Sequence, residues 1–146
     1  MNIFVTVGSG GFDALIRAAD LLPYKMVCQI GDGSCVPRNA RWFRTSPSLT
    51  RWYRWADVIV THGGAATVFE ALAHGKKVIV VPNTQRSDRH QEELAQELAR
   101  RNHLVLCDDL RELLPMIAAL KDRALTPYAP ACCTIPDVID AFLEAA

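Results

Sequence analysis

Apolar runs of strand length alternate along this chain with longer stretches of helical period, and that alternation leaves few folds open. Residues 3–7, 26–30, 58–61, 78–81 and 104–107 are apolar runs bounded by turn residues. Between them, residues 12–21, 66–73, 90–101 and 110–120 read as helices. The runs at 58–61, 78–81 and 104–107 do not alternate apolar with polar, the pattern of strands covered on both faces of a parallel sheet. Repetition of strand and helix predicts an α/β fold, a Rossmann-like, doubly wound parallel sheet. A short strand at 43–44 and a brief helix at 48–55 fit between the second and third runs.

The chain has 146 residues, enough for one domain with a core that needs no staples. Sixteen basic residues balance sixteen acidic ones, so the basic excess that announces nucleic-acid binding is missing. No apolar run approaches the roughly 18–20 residues that span a bilayer, and Gly8 follows the first strand where a signal peptide would be processed. These features predict a cytoplasmic protein. The five cysteines (Cys28, Cys35, Cys107, Cys132, Cys133) are odd in number and contain no Cys-x-x-Cys pair. They read as reduced, mostly buried thiols rather than a disulfide framework or zinc ribbon.

Chemistry concentrates where strands end. After the run at 58–61 comes His62-Gly63-Gly64-Ala65-Ala66-Thr67, a paired-glycine turn that opens a helix. Such a turn bares backbone N–H groups and a helix N-terminus, which suits an anion such as a diphosphate, although a strand-to-helix turn requires glycine in many proteins that bind nothing there. Ala65 and Ala66 would supply N–H groups, and Thr67 either caps the helix or touches phosphate. Glu70, on the first turns of that helix, is a carboxylate able to accept two adjacent hydroxyls, or a solvated acid favoured by the helix dipole. Asp88, His90 and Gln91 form a second polar cluster after the next strand. Asp88 in isolation is an N-cap, whereas Gln91 offers both a donor and an acceptor to a sugar hydroxyl. Gly8-Ser9-Gly10-Gly11 and Gly31-Asp32-Gly33 end the first two strands. The first lacks a third glycine at the right offset and a suitably placed ribose acid, as a dinucleotide fingerprint requires, which argues against bound NAD.

The span from Ala56 to about Leu98, together with the opening strand and Gly8-Ser9, resembles the donor-binding half of GT-B glycosyltransferases of the family that makes the peptidoglycan lipid precursor. It is similar, more closely, to the small soluble subunits of two-part N-acetylglucosaminyltransferases of dolichol-linked glycan assembly and their bacterial exopolysaccharide counterparts. The resemblance reaches to about Leu120 and implies a single GT-B C-terminal-type domain over residues 1–146. It implies a UDP-sugar donor, with diphosphate at Gly8, Ser9, Gly10 and Gly63 to Thr67, and ribose on Glu70. By the same resemblance the hexose lies at Gln91 beside His90 and Asp88, and uracil against the backbone of Ser46. The catalytic base of such enzymes comes from the other domain, so a membrane-anchored, acceptor-binding partner and a lipid-linked saccharide acceptor are expected, with this chain held at the inner face of a membrane through that partner. No metal or cofactor is expected, because no acids cluster with metal spacing and backbone dipoles can take the charge of the leaving diphosphate.

Some residues keep two readings. His62 is either a general base or a buttress of the glycine loop. The run Arg51-Trp52-Tyr53-Arg54-Trp55 is either an exposed interface anchor or a set of rings packed under the sheet. Residues 137–146, with Val138, Ile139, Phe142 and Leu143 on one helical face, either dock a partner or pack on the domain's own sheet. The whole chain is either the donor-binding subunit of an inverting hexosyltransferase, inactive alone, or a non-catalytic nucleotide-sugar-binding module that stimulates a separate transferase.

Overall fold

The computed structural model describes residues 1–83 and 90–129. Strand β1 (Asn2–Thr6) leads to helix α1 (Asp13–Asp20), β2 (Lys25–Gln29), β3 (Arg41–Phe43) and α2 (Thr50–Trp55). Then come β4 (Val58–Thr61), α3 (Ala65–Ala73), β5 (Lys77–Val80), α4 (His90–Arg100) and β6 (Val105–Leu106). A 3₁₀ turn at Leu110–Glu112 and helix α5 (Leu113–Leu120) follow. All neighbouring strands are parallel, in the order β3-β2-β1-β4-β5-β6. The strands and helices expected between residues 3 and 120 are therefore present, with small shifts at their ends. The edge strand lies at Arg41–Phe43 rather than 43–44, and the helix expected over 110–120 divides. Its division has a local cause: the Asp109 carboxylate accepts from the Arg111 N–H at 2.9 Å to start the tight turn, and Pro115 falls in the first turn of α5, where it costs no helical bond.

Side-chain period sorts the core into two layers. Ile3 and Val5 of β1 and Val58 and Val60 of β4 pack with Leu15, Ile16 and Ala19 of α1 and Leu113, Ile117 and Leu120 of α5. Phe4 and Ile59 turn to the other face, against Tyr53 of α2, Val68, Ala71 and Leu72 of α3, and Ala95 and Leu98 of α4. Strands clad on both faces explain why the runs are apolar over most of their length. Each such aliphatic or aromatic side chain contributes roughly 1.5–3 kcal/mol relative to an exposed one. Cys28 belongs to this core, and burial, with Asp20 adding, pushes its thiol up to about 12, far from a reactive thiolate.

The rings of residues 51–55 pack under the sheet. Trp52 stacks on Phe43 at 5.6 Å and on Phe4 at 6.3 Å, Tyr53 meets Phe4 edge-on at 5.9 Å, and Trp55 meets Trp52 edge-on at 6.2 Å. Arg51 lies over the Trp52 ring at 4.0 Å. Of the two readings of this run, packing under the sheet holds for Tyr53, which is buried, while Trp52 and Trp55 are half-buried against it and the two arginines are exposed.

The order of strands places the switch point between β1 and β4. Connections leave these two neighbours toward opposite flanks, so their C-terminal loops part and open a crevice. One row of side chains below it is polar and buried: Gln29, Thr6 and Thr61 stand side by side in register. Thr6 donates to Gln29 Oε1 at 2.7 Å and accepts from the Gly8 N–H at 3.3 Å, tying the first loop to the sheet.

Candidate functional site

Three glycine-bearing loops are nested at the crevice. Gly31, at φ +53°, lies so close to the first loop that a Cβ on it would stand 2.6 Å from the carbonyl oxygens of Ser9 and Gly10 and 2.7 Å from that of Gly8. The Asp32 N–H donates to Ser9 O at 3.0 Å, and Arg44 donates to the carbonyls of Gly31 and Gly33 at 2.9 and 3.0 Å. Arg44 is a residue the sequence reading did not single out; no short motif marks a side chain whose role is to clasp the backbone of a distant loop.

His62 joins the first loop to the paired-glycine turn. Its ring is buried, and a Cβ built on Gly8 would stand 3.1 Å from its Cε1, while one on Gly64 would stand 3.0 Å from its Nε2. A side chain at either glycine would crowd the ring between them. This placement between the two loops is compatible with the buttress reading of His62.

Gly64 is the N-cap of α3 and no side chain caps the helix, so Thr67 does not serve as the cap. The first intrahelical bond runs from Val68 N to Gly64 O at 3.0 Å. The N–H groups of Ala65, Ala66 and Thr67 precede it at the positive end of the helix dipole, an arrangement suited to an anion. Ala65 and Ala66 are exposed and Gly64 half-buried, which keeps the approach open. Gly63, at φ +94°, sits against Val80 and α4: a Cβ there would lie 3.0 Å from Val80 Cγ1, 3.8 Å from Gln91 O and 4.0 Å from Gln91 Cβ. Gln91 is half-buried beside the glycine turn, so this residue of the second cluster meets the first. Asp88 lies outside the described residues, as do Cys132, Cys133 and the stretch 137–146; His90 is described only as the first residue of α4.

Beside the crevice is a cavity of about 430 Å³ between α2 and α3, lined by residues 46–50, Tyr53, Glu70 and His74. It brings Ser46 and Glu70 together although they stand on separate elements. Ser46 uses its hydroxyl to donate to Ser48 O at 2.8 Å, shaping the loop. Glu70 is exposed to the cavity side of α3, one helical turn from Thr67 and from His74. Two other cavities, of about 460 and 510 Å³, open at the opposite end of the sheet around Lys76 and Lys77. Those lysines donate to main-chain carbonyls, Lys76 to Ala56 O at 2.9 Å and Lys77 to Leu120 O and Lys121 O at 2.7 Å. Lying away from the strands' C-terminal ends, these larger hollows have no part in the switch-point site.

Comparison with known proteins decides the family. The glycosyltransferase family 28 C-terminal domain matches residues 2–133. The chain belongs to that family. Among relatives of this family 28 domain, the UDP-N-acetylglucosamine transferase subunit ALG13 of Mus musculus is 34% identical over 121 residues, which cover 71% of this chain and 10% of the mouse protein. The UDP-N-acetylglucosamine--N-acetylmuramyl-(pentapeptide) pyrophosphoryl-undecaprenol N-acetylglucosamine transferase of Bdellovibrio bacteriovorus is 37% identical over 94 residues, 61% of this chain and 26% of that enzyme. The chain thus spans only part of the length of these curated relatives. An NMR solution structure of ALG13 shares the fold, with a TM-score of 0.64 at 16% identity over 99% of this chain and 96% of that one. The family 28 domain here is accordingly a GT-B C-terminal-type α/β domain with a six-strand parallel sheet. No helix among the described residues is long and apolar enough to cross a membrane.

Proposed function

We propose that this family 28 domain is the donor-binding part of an inverting, metal-independent glycosyltransferase that moves a hexose from a UDP-sugar to a lipid-linked acceptor in glycan assembly. The observation that carries the reading is the cavity shared by Ser46 and Glu70, set beside an uncapped helix N-terminus at the switch point. Its volume of about 430 Å³ lies in the range of small-molecule sites. In this reading uracil lies against the backbone near Ser46, and the Glu70 carboxylate accepts the ribose hydroxyls. The diphosphate rests on Gly64, Ala65 and Ala66, with the loop of Gly8, Ser9 and Gly10 opposite. Gln91 holds the hexose, with His90 and Asp88 near it. N-acetylglucosamine, the sugar named for the mouse and Bdellovibrio relatives, is the first hexose to test.

The chemistry follows from where charge develops. An acceptor hydroxyl, deprotonated by a base on a partner, attacks the anomeric carbon from the face opposite UDP and inverts it. The bond to the β-phosphate oxygen breaks, and the leaving diphosphate gains negative charge. The N–H groups at the start of α3 are already oriented toward that charge and need no reorganisation. The partner is membrane-associated, supplies the acceptor wall and keeps this chain at the inner, cytoplasmic face.

Calorimetry with the purified chain tests the donor half of this proposal. UDP is expected to bind equally well with chelator and with magnesium, and binding that requires the metal would overturn the backbone cradle. Transfer assays test the other half: activity is expected from the two chains together and from neither alone. A partner that transfers at full rate by itself would instead make this chain the stimulatory module.

A further inference from the structure

Tyr53 carries a hydroxyl that the fold does not use. The residue is 1% exposed, and its hydroxyl is buried with no hydrogen-bond partner among the described residues. Its ring packs edge-on against Phe4 and lies 5.4 Å from His74, contacts that a phenylalanine would make equally well. Ring packing therefore accounts for an aromatic residue here and leaves the oxygen unexplained. Buried hydroxyls are ordinarily satisfied, and one without a partner on the wall of a cavity points to a hydrogen bond completed only when a ligand arrives.

The neighbours of that oxygen indicate which group. Tyr53 lines the cavity together with Glu70. Burial pushes the phenol above its ordinary range, the Glu70 carboxylate adds to the rise, and the Thr67 hydroxyl offsets part of it. Both side chains therefore stand close enough to act on the phenol as hydrogen-bonding neighbours, although neither meets the distance and angle of a completed bond. Thr67 and Glu70 are one turn apart on α3 and share the face turned to α2. A carboxylate has about four acceptor sites, and two ribose hydroxyls occupy only part of them.

Resting on the nucleotide reading of the site, we infer that Tyr53 is a positioning residue: with nucleotide in the cavity its hydroxyl donates to Glu70, fixing the carboxylate to accept both ribose hydroxyls. The consequence is selectivity. A carboxylate held by Tyr53 rewards a 2′-hydroxyl that a deoxyribonucleotide lacks, so this oxygen sets the preference for UDP over 2′-deoxy-UDP.

Calorimetry of the purified chain with UDP and with 2′-deoxy-UDP tests the inference in the wild type, Tyr53→Phe, Glu70→Gln and the double variant. Tyr53→Phe is expected to shrink the preference for UDP by about two- to tenfold, the value of one hydrogen bond. Its melting temperature without ligand should not fall, because the oxygen removed completes no hydrogen bond of good geometry in the unliganded fold. In the Glu70→Gln background the second change should leave the preference unaltered. A lower melting temperature with an unchanged preference, or failure of Tyr53→Phe to fold, would assign the hydroxyl to the unliganded fold and overturn the inference. So would an effect that persists without the Glu70 carboxylate. If the wild-type chain binds no UDP, the nucleotide reading itself fails; if UDP binds and only the preference is insensitive to Tyr53, that reading stands and the tyrosine's role alone is lost.

Discussion

Replacing Gly31 by alanine is expected to destabilise the domain by on the order of 3 kcal/mol and to lower its melting temperature by roughly 10 °C. Two costs combine. The backbone at φ +53° disfavours any side chain, and the new methyl would stand 2.6–2.7 Å from three carbonyl oxygens of the Gly8 to Gly10 loop. Those oxygens are main chain and cannot swing aside as a flexible side chain would, so the loop must move as a unit. Because that loop forms one wall of the crevice, UDP affinity should fall along with stability. Gly75→Ala is the control: it shares the left-handed conformation, at φ +65°, but no atom lies within 4 Å of a Cβ there. Its expected cost is about 1–2 kcal/mol, from backbone conformation alone, with UDP affinity kept. Thermal melts and calorimetry on both variants decide the matter, and equal losses would show that crowding at Gly31 is unimportant.

Removing the Glu70 carboxylate should have the largest effect on binding with the least on the fold. Glu70 is exposed, so Glu70→Ala is expected to change stability by no more than about 0.5 kcal/mol. UDP affinity should drop by about ten- to a hundredfold, the equivalent of hydrogen bonds to a charged group worth about 1.5–3 kcal/mol. Gln91→Ala should act differently. It lies beside Gly63 rather than in the cavity of Glu70, so UDP should bind within about twofold of wild type, while UDP-sugar affinity falls by about two- to tenfold. Parallel titrations with UDP and UDP-N-acetylglucosamine separate the two residues. Equal losses for both ligands in both variants would refute the division between ribose and hexose.

Much of this architecture is legible in the residues because local physics wrote it there. The paired glycines at 63 and 64, the helix that follows and the acid at Glu70 are a continuous stretch, so turn chemistry and helical spacing suffice to read them. The same holds for the largely apolar strands, whose composition already states that both faces are covered. The rings at 51–55 show the limit. Their chemistry is compatible with an exposed anchor or a buried cluster, and only the position of α2 against Phe4 and Phe43 distinguishes the two. His62 is similar: no local rule states that its ring lies between Gly8 and Gly64.

What the sequence by itself determined is the class of fold and the places where strands end, since hydrophobic period and glycine turns act over a few residues. The parallel order β3-β2-β1-β4-β5-β6 was decided by tertiary packing, and with it the meeting of loops from three separate strands. So was the cavity that joins Ser46, Tyr53, Glu70 and His74, because no local rule states that α2 lies beside α3. The buried hydroxyl of Tyr53 belongs to the same category. In the sequence it is one ring in an aromatic run, and only the closed space around it shows that its oxygen has no partner within the fold.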